Sequence, residues 1–125
     1  MTGHSDDVTS KILWPDAEIE SILIDFGELV ITLTESSGQK TTVRCKGYIG
    51  YSAVGFWDEI VVQSAELLVT DDFIEECLDR LRQRYGNELP DSGDSFRNQR
   101  SYRTLAIHLI DGASLKVVAA AFAVA

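Results

Sequence analysis

The chain has 125 residues, of which 45% are hydrophobic and 25% are charged. A chain of this length and composition is expected to form one domain over residues 1–125, with a core that needs no metal or disulfide to hold it together. Its net charge of −9 repels nucleic acid from most of the protein surface and attracts basic ligands.

The charge is unevenly distributed along the sequence. Residues 1–79 contain 16 acidic and 4 basic residues, whereas residues 80–125 contain 4 acidic and 7 basic ones. A nucleic acid could therefore be bound only around Arg80–Arg103, and we expect no nucleic-acid partner. Acidity also confers solubility, so the charge alone leaves open whether a specific basic partner exists.

The lack of a visible secretory signal and the spacing of the cysteines both favour a cytoplasmic location. Residues 1–8 are expected to be disordered, and they contain no apolar stretch typical of a secretory signal. The apolar run Leu115–Ala125 is too short to span a bilayer and includes Lys116, so we expect no membrane partner. Cys45 and Cys77 are far apart in sequence; two buried free thiols are expected, with a single disulfide as the alternative.

The first half of the chain predicts three antiparallel strands in succession. Leu29, Ile31 and Leu33 alternate with more polar residues, as in a strand with one buried face. Turns are expected at Gly27 and around Gly38. The predicted strands are Ile19–Phe26, Glu28–Glu35 and Lys40–Ile49.

The next stretch, Gly47–Glu59, is called the aromatic segment here. It contains three glycines, two tyrosines, a phenylalanine and a tryptophan, and it ends on two carboxylates. We predict that it is a long connection between strands, held by its own side chains. We expect about half of its rings to pack in the core, which leaves open whether the segment is core or interface.

One helix is predicted, over Asp71–Tyr85. Apolar residues recur there at three- and four-residue spacing: Phe73, Ile74, Cys77, Leu78, Leu81 and Tyr85. Thr70 is a suitable N-cap and Gly86 a suitable C-terminal stop. Acidic residues lie near the start of this helix and arginines near its end, as the helix dipole favours.

Three further strands flank this helix. Ile60–Val69 precedes it, with Val61, Ala65, Leu67 and Val69 expected toward the core. Tyr102–Ile110 and Ser114–Val124 follow it, joined by the hairpin sequence Asp111-Gly112. The alanine-rich end of the last strand also permits a helix.

The fold class is therefore predicted to be α+β: an antiparallel sheet of about six strands in the order β-β-β-β-α-β-β, with one long helix packed on one face.

No catalytic pattern is present. His108 has no serine, cysteine or acid at motif spacing and is expected to be a structural residue of its strand. The glycines of the aromatic segment do not match a phosphate-binding motif, and no metal-binding spacing occurs. We predict that the protein is not an enzyme and has no catalytic residue, cofactor or metal.

Binding is favoured instead, by aromatic and acidic residues. Tyrosine and tryptophan dominate interface hot spots, and carboxylates beside them would complement a basic surface. The candidate partner-binding residues are Tyr48, Tyr51, Phe56, Trp57, Asp58, Glu59, Asp71, Asp72, Glu75, Glu76 and Asp79.

The order of elements, the sequence Gly47–Glu59 and the turn sequence Leu109–Gly112 resemble small bacterial immunity proteins of polymorphic and contact-dependent toxin systems. The resemblance covers roughly residues 22–118. It implies a cytoplasmic protein that binds a cognate toxin domain, often a basic nuclease, and blocks its active site. These families share no universal binding motif, so the resemblance assigns no residue.

We therefore hypothesise an immunity protein that neutralises a toxin domain through an acidic, aromatic surface, as a monomer or weak homodimer. Two alternatives remain. Tyr48, Tyr51, Phe56 and Trp57 could surround a small-molecule pocket, or the strand Ser114–Val124 could mediate self-association through an exposed edge.

Overall fold

The computed structural model describes residues 8–25, 27–55, 60–85 and 102–125. Within these ranges the chain forms one helix and two four-stranded antiparallel sheets. The elements are β1 (Glu18–Asp25), β2 (Glu28–Thr34), β3 (Lys40–Lys46), β4 (Gly50–Val54), β5 (Val62–Leu68), α1 (Asp72–Tyr85), β6 (Arg103–Leu109), β7 (Ser114–Ala119) and β8 (Ala121–Val124). Sheet A has the order β1-β2-β3-β8, and sheet B has the order β4-β7-β6-β5. The α+β class with a single described helix is confirmed, but the single six-stranded sheet is wrong.

The extra strands arise because the chain bends from one sheet into the other at two places, near Gly47 and at Ala120. The strand predicted over Lys40–Ile49 ends at Lys46, and Gly47 then adopts φ 65°. The chain resumes as β4 inside the segment that we predicted to be a connection. The strand predicted over Ser114–Val124 is likewise interrupted at Ala120, without forming the alternative helix.

The two bends lie side by side and are hydrogen bonded to each other. The amide of Ala120 donates to the carbonyl of Lys46 at 3.1 Å, and the amide of Ile49 donates to that of Val118 at 2.9 Å. A Cβ on Gly47 would lie 3.3 Å from the Cβ of Ala120. Glycine at this position therefore lets the bends approach closely as well as adopt a left-handed conformation.

The sheets also meet at their opposite margin, where the start of β1 lies beside residues 60–62. The amide of Ile19 donates to the carbonyl of Ile60 at 3.0 Å, and the amide of Val62 donates to the carbonyl of Ala17 at 2.7 Å. Sheets A and B are therefore connected on two sides, and they enclose one core.

This core takes the inward-facing residues of both sheets and a segment that precedes β1. Trp14 is buried there, and its indole donates to the carbonyl of Val8 at 3.2 Å. Val8 is itself buried, whereas residues 1–7 lie outside the described residues. The core's largest fully buried side chains are Leu29, Ile31, Leu33, Leu105, Ile107, Leu109, Leu115, Val8, Val43, Val62 and Val117.

The predicted facing of β5 is correct for only part of its length. Ala65 and Leu67 pack against the core as expected. The pairing of β5 with β6 is irregular between Val62 and Ser64, and Val62 is fully buried in place of Val61. Val69 lies beyond the strand and is 70% exposed. A bulge of one residue shifts the alternation of the strand, so that the side chains before the bulge point to the opposite faces from those predicted.

Helix α1 packs on the outer face of sheet B, against β6 and β7. Ile74, Cys77 and Leu78 are buried there, in a second cluster with Tyr102 and Val118. The helix begins one residue later than predicted, so that Asp71 directly precedes it. The expectation of one helix covering one face of a sheet is confirmed for sheet B.

The contact between α1 and β4 requires a glycine. A Cβ placed on Gly50 would lie 2.3 Å from the Sγ of Cys77 and 3.4 Å from its Cβ. The first distance is far below van der Waals contact, whereas the second is an ordinary contact. Gly50 therefore sets how closely the helix approaches the edge of sheet B.

Replacing Gly50 by alanine should lower the free energy of unfolding by about 1–3 kcal/mol, because the added methyl group overpacks the contact with Cys77. Adding Cys77→Ala should return part of this loss, since only the 3.4 Å contact then remains. Urea unfolding of the wild type, both single variants and the double variant measures the coupling. Strictly additive losses would contradict this explanation.

Candidate functional site

A groove of about 490 Å³ runs between α1 and the outer face of sheet B. We call it the α1–β4 groove. Three elements contribute to it: the strands β4 and β7, and the first two turns of α1 with the residue before them. It is lined by Ser52, Val54, Asp71, Asp72, Phe73, Glu76, Ser114 and Lys116.

The pleat of β4 determines which of its side chains reach the groove. Ser52 and Val54 line it, and successive side chains of a strand point to opposite faces. Tyr51 and Ala53 therefore lie on the opposite face. Val54 is 60% exposed and Tyr51 is 47% exposed, so each face of this short strand presents apolar surface to solvent.

The helix contributes two carboxylates and a ring. Asp72 and Glu76 are exposed, whereas Phe73 is partly buried. Glu76 also accepts a hydrogen bond from Arg80 at 3.2 Å, one turn along the helix and on the surface. Exposed pairs of this kind contribute little to stability, so Glu76 can exchange Arg80 for another cation at small cost.

Asp71, in contrast, forms an ion pair with Lys116 of the sheet. Its Oδ2 lies 3.6 Å from the Nζ of Lys116, and the side chains are 15% and 35% exposed. The same oxygen is buried and accepts no hydrogen bond. Asp71 therefore depends on Lys116 for its charge compensation, and we assign this pair to the structure of the groove floor.

A second, smaller groove of about 280 Å³ lies at the same end of the helix. It is lined by Val69, Thr70, Asp71, Asp72, Ile74, Glu75 and Tyr102. Asp71 and Asp72 thus border both grooves. The exposed face of Val69 makes this second surface apolar as well as acidic.

The sequence-predicted site residues are only partly brought together. Asp71, Asp72 and Glu76 line the α1–β4 groove, and Glu75 lines the second one. Asp79 lies farther along the helix and accepts a hydrogen bond from Arg82 at 2.7 Å. The remaining described candidates are aromatic: Tyr51 is exposed on β4, and Tyr48 is half-buried against the core. Phe56, Trp57, Asp58 and Glu59 lie outside the described residues.

Sequence reasoning missed the groove residues that come from the sheet. Ser52, Val54, Ser114 and Lys116 line it, and two of them lie in the segment predicted to be a connection. The alternation of β4 is visible in Tyr-Ser-Ala-Val, but the glycines on both sides conceal it. The sequence predicts Phe73 only as part of the apolar stripe of the helix.

Histidine and acidic clusters offer no metal site in the part of the chain that the structure describes. His108 lies on the outer face of sheet B, with its Nε2 3.1 Å from Glu66 Oε2.

Both cysteines are free and buried, as the sequence predicts. Burial, with a smaller effect from the Glu28 carboxylate, raises the pKa of Cys45 to about 12. Burial also raises the pKa of Cys77 to about 11, and the nearby Glu76 carboxylate adds to this shift. Thiolates are the reactive form of cysteine, so neither side chain is suited to nucleophilic chemistry at neutral pH.

Comparisons of this chain with protein-family models, with curated proteins and with solved structures found no match. Function is therefore inferred from the grooves and edges of the molecule itself. Within the described ranges, no helix is long and apolar enough to cross a membrane.

Replacing Lys116 by methionine should lower the free energy of unfolding by about 1–2 kcal/mol, because the enclosed Asp71 carboxylate loses its counter-ion. The loss is smaller than for a fully buried pair, since Lys116 is 35% exposed. Adding Asp71→Asn should restore most of the stability, because an amide needs no counter-ion. Urea unfolding checks both steps, and an unchanged stability of Lys116→Met would contradict the assignment.

Stability should fall as the pH rises above about 9. The unfolded thiols ionise near their ordinary pKa of 9.0, whereas in the folded protein those of Cys45 and Cys77 remain protonated to about 12 and 11. The unfolded state therefore binds fewer protons in this window, at about 1.4 kcal/mol per pH unit for each thiol at most. Unfolding measured at several pH values should show a shallower decline for Cys45→Ala than for the wild type, and equal slopes would contradict this account.

Proposed function

We propose that this protein is an immunity protein that binds and neutralises a cognate bacterial toxin domain, a cationic nuclease, by blocking its active site. The observation that carries the proposal is the α1–β4 groove, where the exposed carboxylates of Asp72 and Glu76 lie beside the exposed Val54 and the partly buried Phe73. Such a surface suits a basic protein partner, because charges guide the encounter and apolar groups hold the complex.

Electrostatic steering would be the first step of binding. The chain carries a net charge of −9, and Asp72 and Glu76 are exposed at the rim of the groove. A cationic domain would be attracted over about one Debye length, roughly 8–10 Å at physiological salt. Such steering can raise association rates well above those of uncharged partners.

Apolar contacts would then determine the lifetime of the complex. Val54 and Phe73 line the groove, and Tyr51 is exposed on the other face of the same strand. Rigid rings and branched side chains bury much area at a low cost in side-chain entropy. Tyr51, Val54 and Phe73 are therefore the proposed anchors, and Asp72 and Glu76 the proposed steering residues.

The toxin needed for a test would be encoded beside this chain, as a large secreted protein with a variable C-terminal domain. Co-expression should protect cells from that domain, and the two proteins should co-purify in equal amounts in the cytoplasmic fraction. Failure to protect against any neighbouring domain would contradict the proposal. Light scattering of the purified protein separates a monomer or weak homodimer from a self-associating structural protein.

Replacing Asp72 and Glu76 together by lysine should slow association with the toxin domain by about tenfold at low salt and reduce its salt dependence. The matched control is the pair Glu18→Lys and Glu66→Lys, which changes the net charge equally on exposed strands away from the groove. Stopped-flow kinetics at several salt concentrations measure both pairs. Equal rates for the groove variant and the control would show that position is irrelevant and would contradict the proposed surface.

A further inference from the structure

The strand β4 lies at an edge of sheet B in the part of the chain that the structure describes. Within the described residues it pairs with β7 on one side only. Tyr51, Ala53 and Val54 are all exposed along it. The strand contains neither a lysine nor a proline, the residues that commonly protect edges from pairing. An unprotected edge with exposed apolar side chains is a template for another strand.

The groove lies against one face of this edge. Ser52 and Val54 point into it, whereas Tyr51 and Ala53 point to the opposite face. A strand lying beside β4 would follow the same pleat. Every second side chain would enter the groove near Asp72 and Glu76, and the alternate ones would lie beside Tyr51 and Ala53.

We propose that the partner docks as an extended segment that adds to β4 as a fifth strand of sheet B, which has four. Lysines or arginines of this segment occupy the groove-facing positions, and apolar residues occupy the alternate positions. The inference rests on the contact surface of the proposed function and adds the mode of binding. Charge complementarity selects the occupant: the lining residues of the groove include three carboxylates and one lysine.

The same charges argue against a second copy of this chain at the edge. Two copies would bring together surfaces that each belong to a chain of net charge −9. A basic segment gains from the same field. Its aliphatic stems would also cover Phe73 and Val54, because lysine and arginine lay their methylene groups along apolar surface.

The test uses synthetic peptides of about nine residues that alternate lysine and valine, added to the full-length protein labelled with ¹⁵N. Alternate amides of a strand point to the same edge. Two further peptides are N-methylated, one only at its lysines and the other only at its valines. Strand addition requires that one of them lose binding at least tenfold while the other retains it, with backbone amide shifts centred on β4.

The other outcomes separate strand addition from the contact surface. Equal binding of the two N-methylated peptides overturns strand addition. The proposed contact surface still stands in that case if the Asp72→Lys, Glu76→Lys variant lowers the affinity for the unmodified peptide more than the Glu18→Lys, Glu66→Lys control does. A peptide that binds both charge variants equally overturns the contact surface as well. A glutamate–valine peptide should not bind. A homodimer that Val54→Lys dissociates would assign the edge to a second copy and overturn the inference.

Discussion

The constraint on which the molecule depends is the paired bend at Gly47 and Ala120. Two adjacent segments of the chain cross between sheets A and B at the same level, and hydrogen bonds between the bends preserve their pairing. A bend in one strand alone would leave buried backbone groups without partners. Because both strands bend together, the core is enclosed, β4 becomes an edge, and Gly50 lies directly under the helix.

The sequence predicts the segments of this fold better than their assembly. The helix and the hydrophobic alternation of β2 depend on local periodicity, so their bounds differ from the structure by about one residue. The bends at Gly47 and Ala120 depend on two segments that are far apart in sequence and meet only in the folded state. The sequence therefore predicts one strand over Ser114–Val124 where the structure has β7 and β8, and a connection where the structure has β4.

The candidate site follows the same division. The acidic start of α1 is evident from the sequence because helix dipole and capping preferences are local. The opposing wall of the groove consists of Ser52, Val54 and Lys116, which have no distinctive pattern. Their grouping follows from the register of β4 against β7. The contact of Asp71 with Lys116 is likewise not evident from the sequence, which gives Asp71 the same expected role as Asp72.

The acidic groove beside β4 limits the self-pairing that an exposed edge strand would otherwise favour. A neutral protein with an edge such as β4 risks pairing with its own copies. Carboxylates beside the edge raise the free energy of such self-pairing through like-charge repulsion, whereas they lower the free energy of docking a basic strand. The lysine that commonly protects an edge would repel that same basic strand. If the proposed strand addition occurs, the absence of lysine from β4 and the carboxylates of Asp72 and Glu76 would together favour a basic segment over a second copy of this chain.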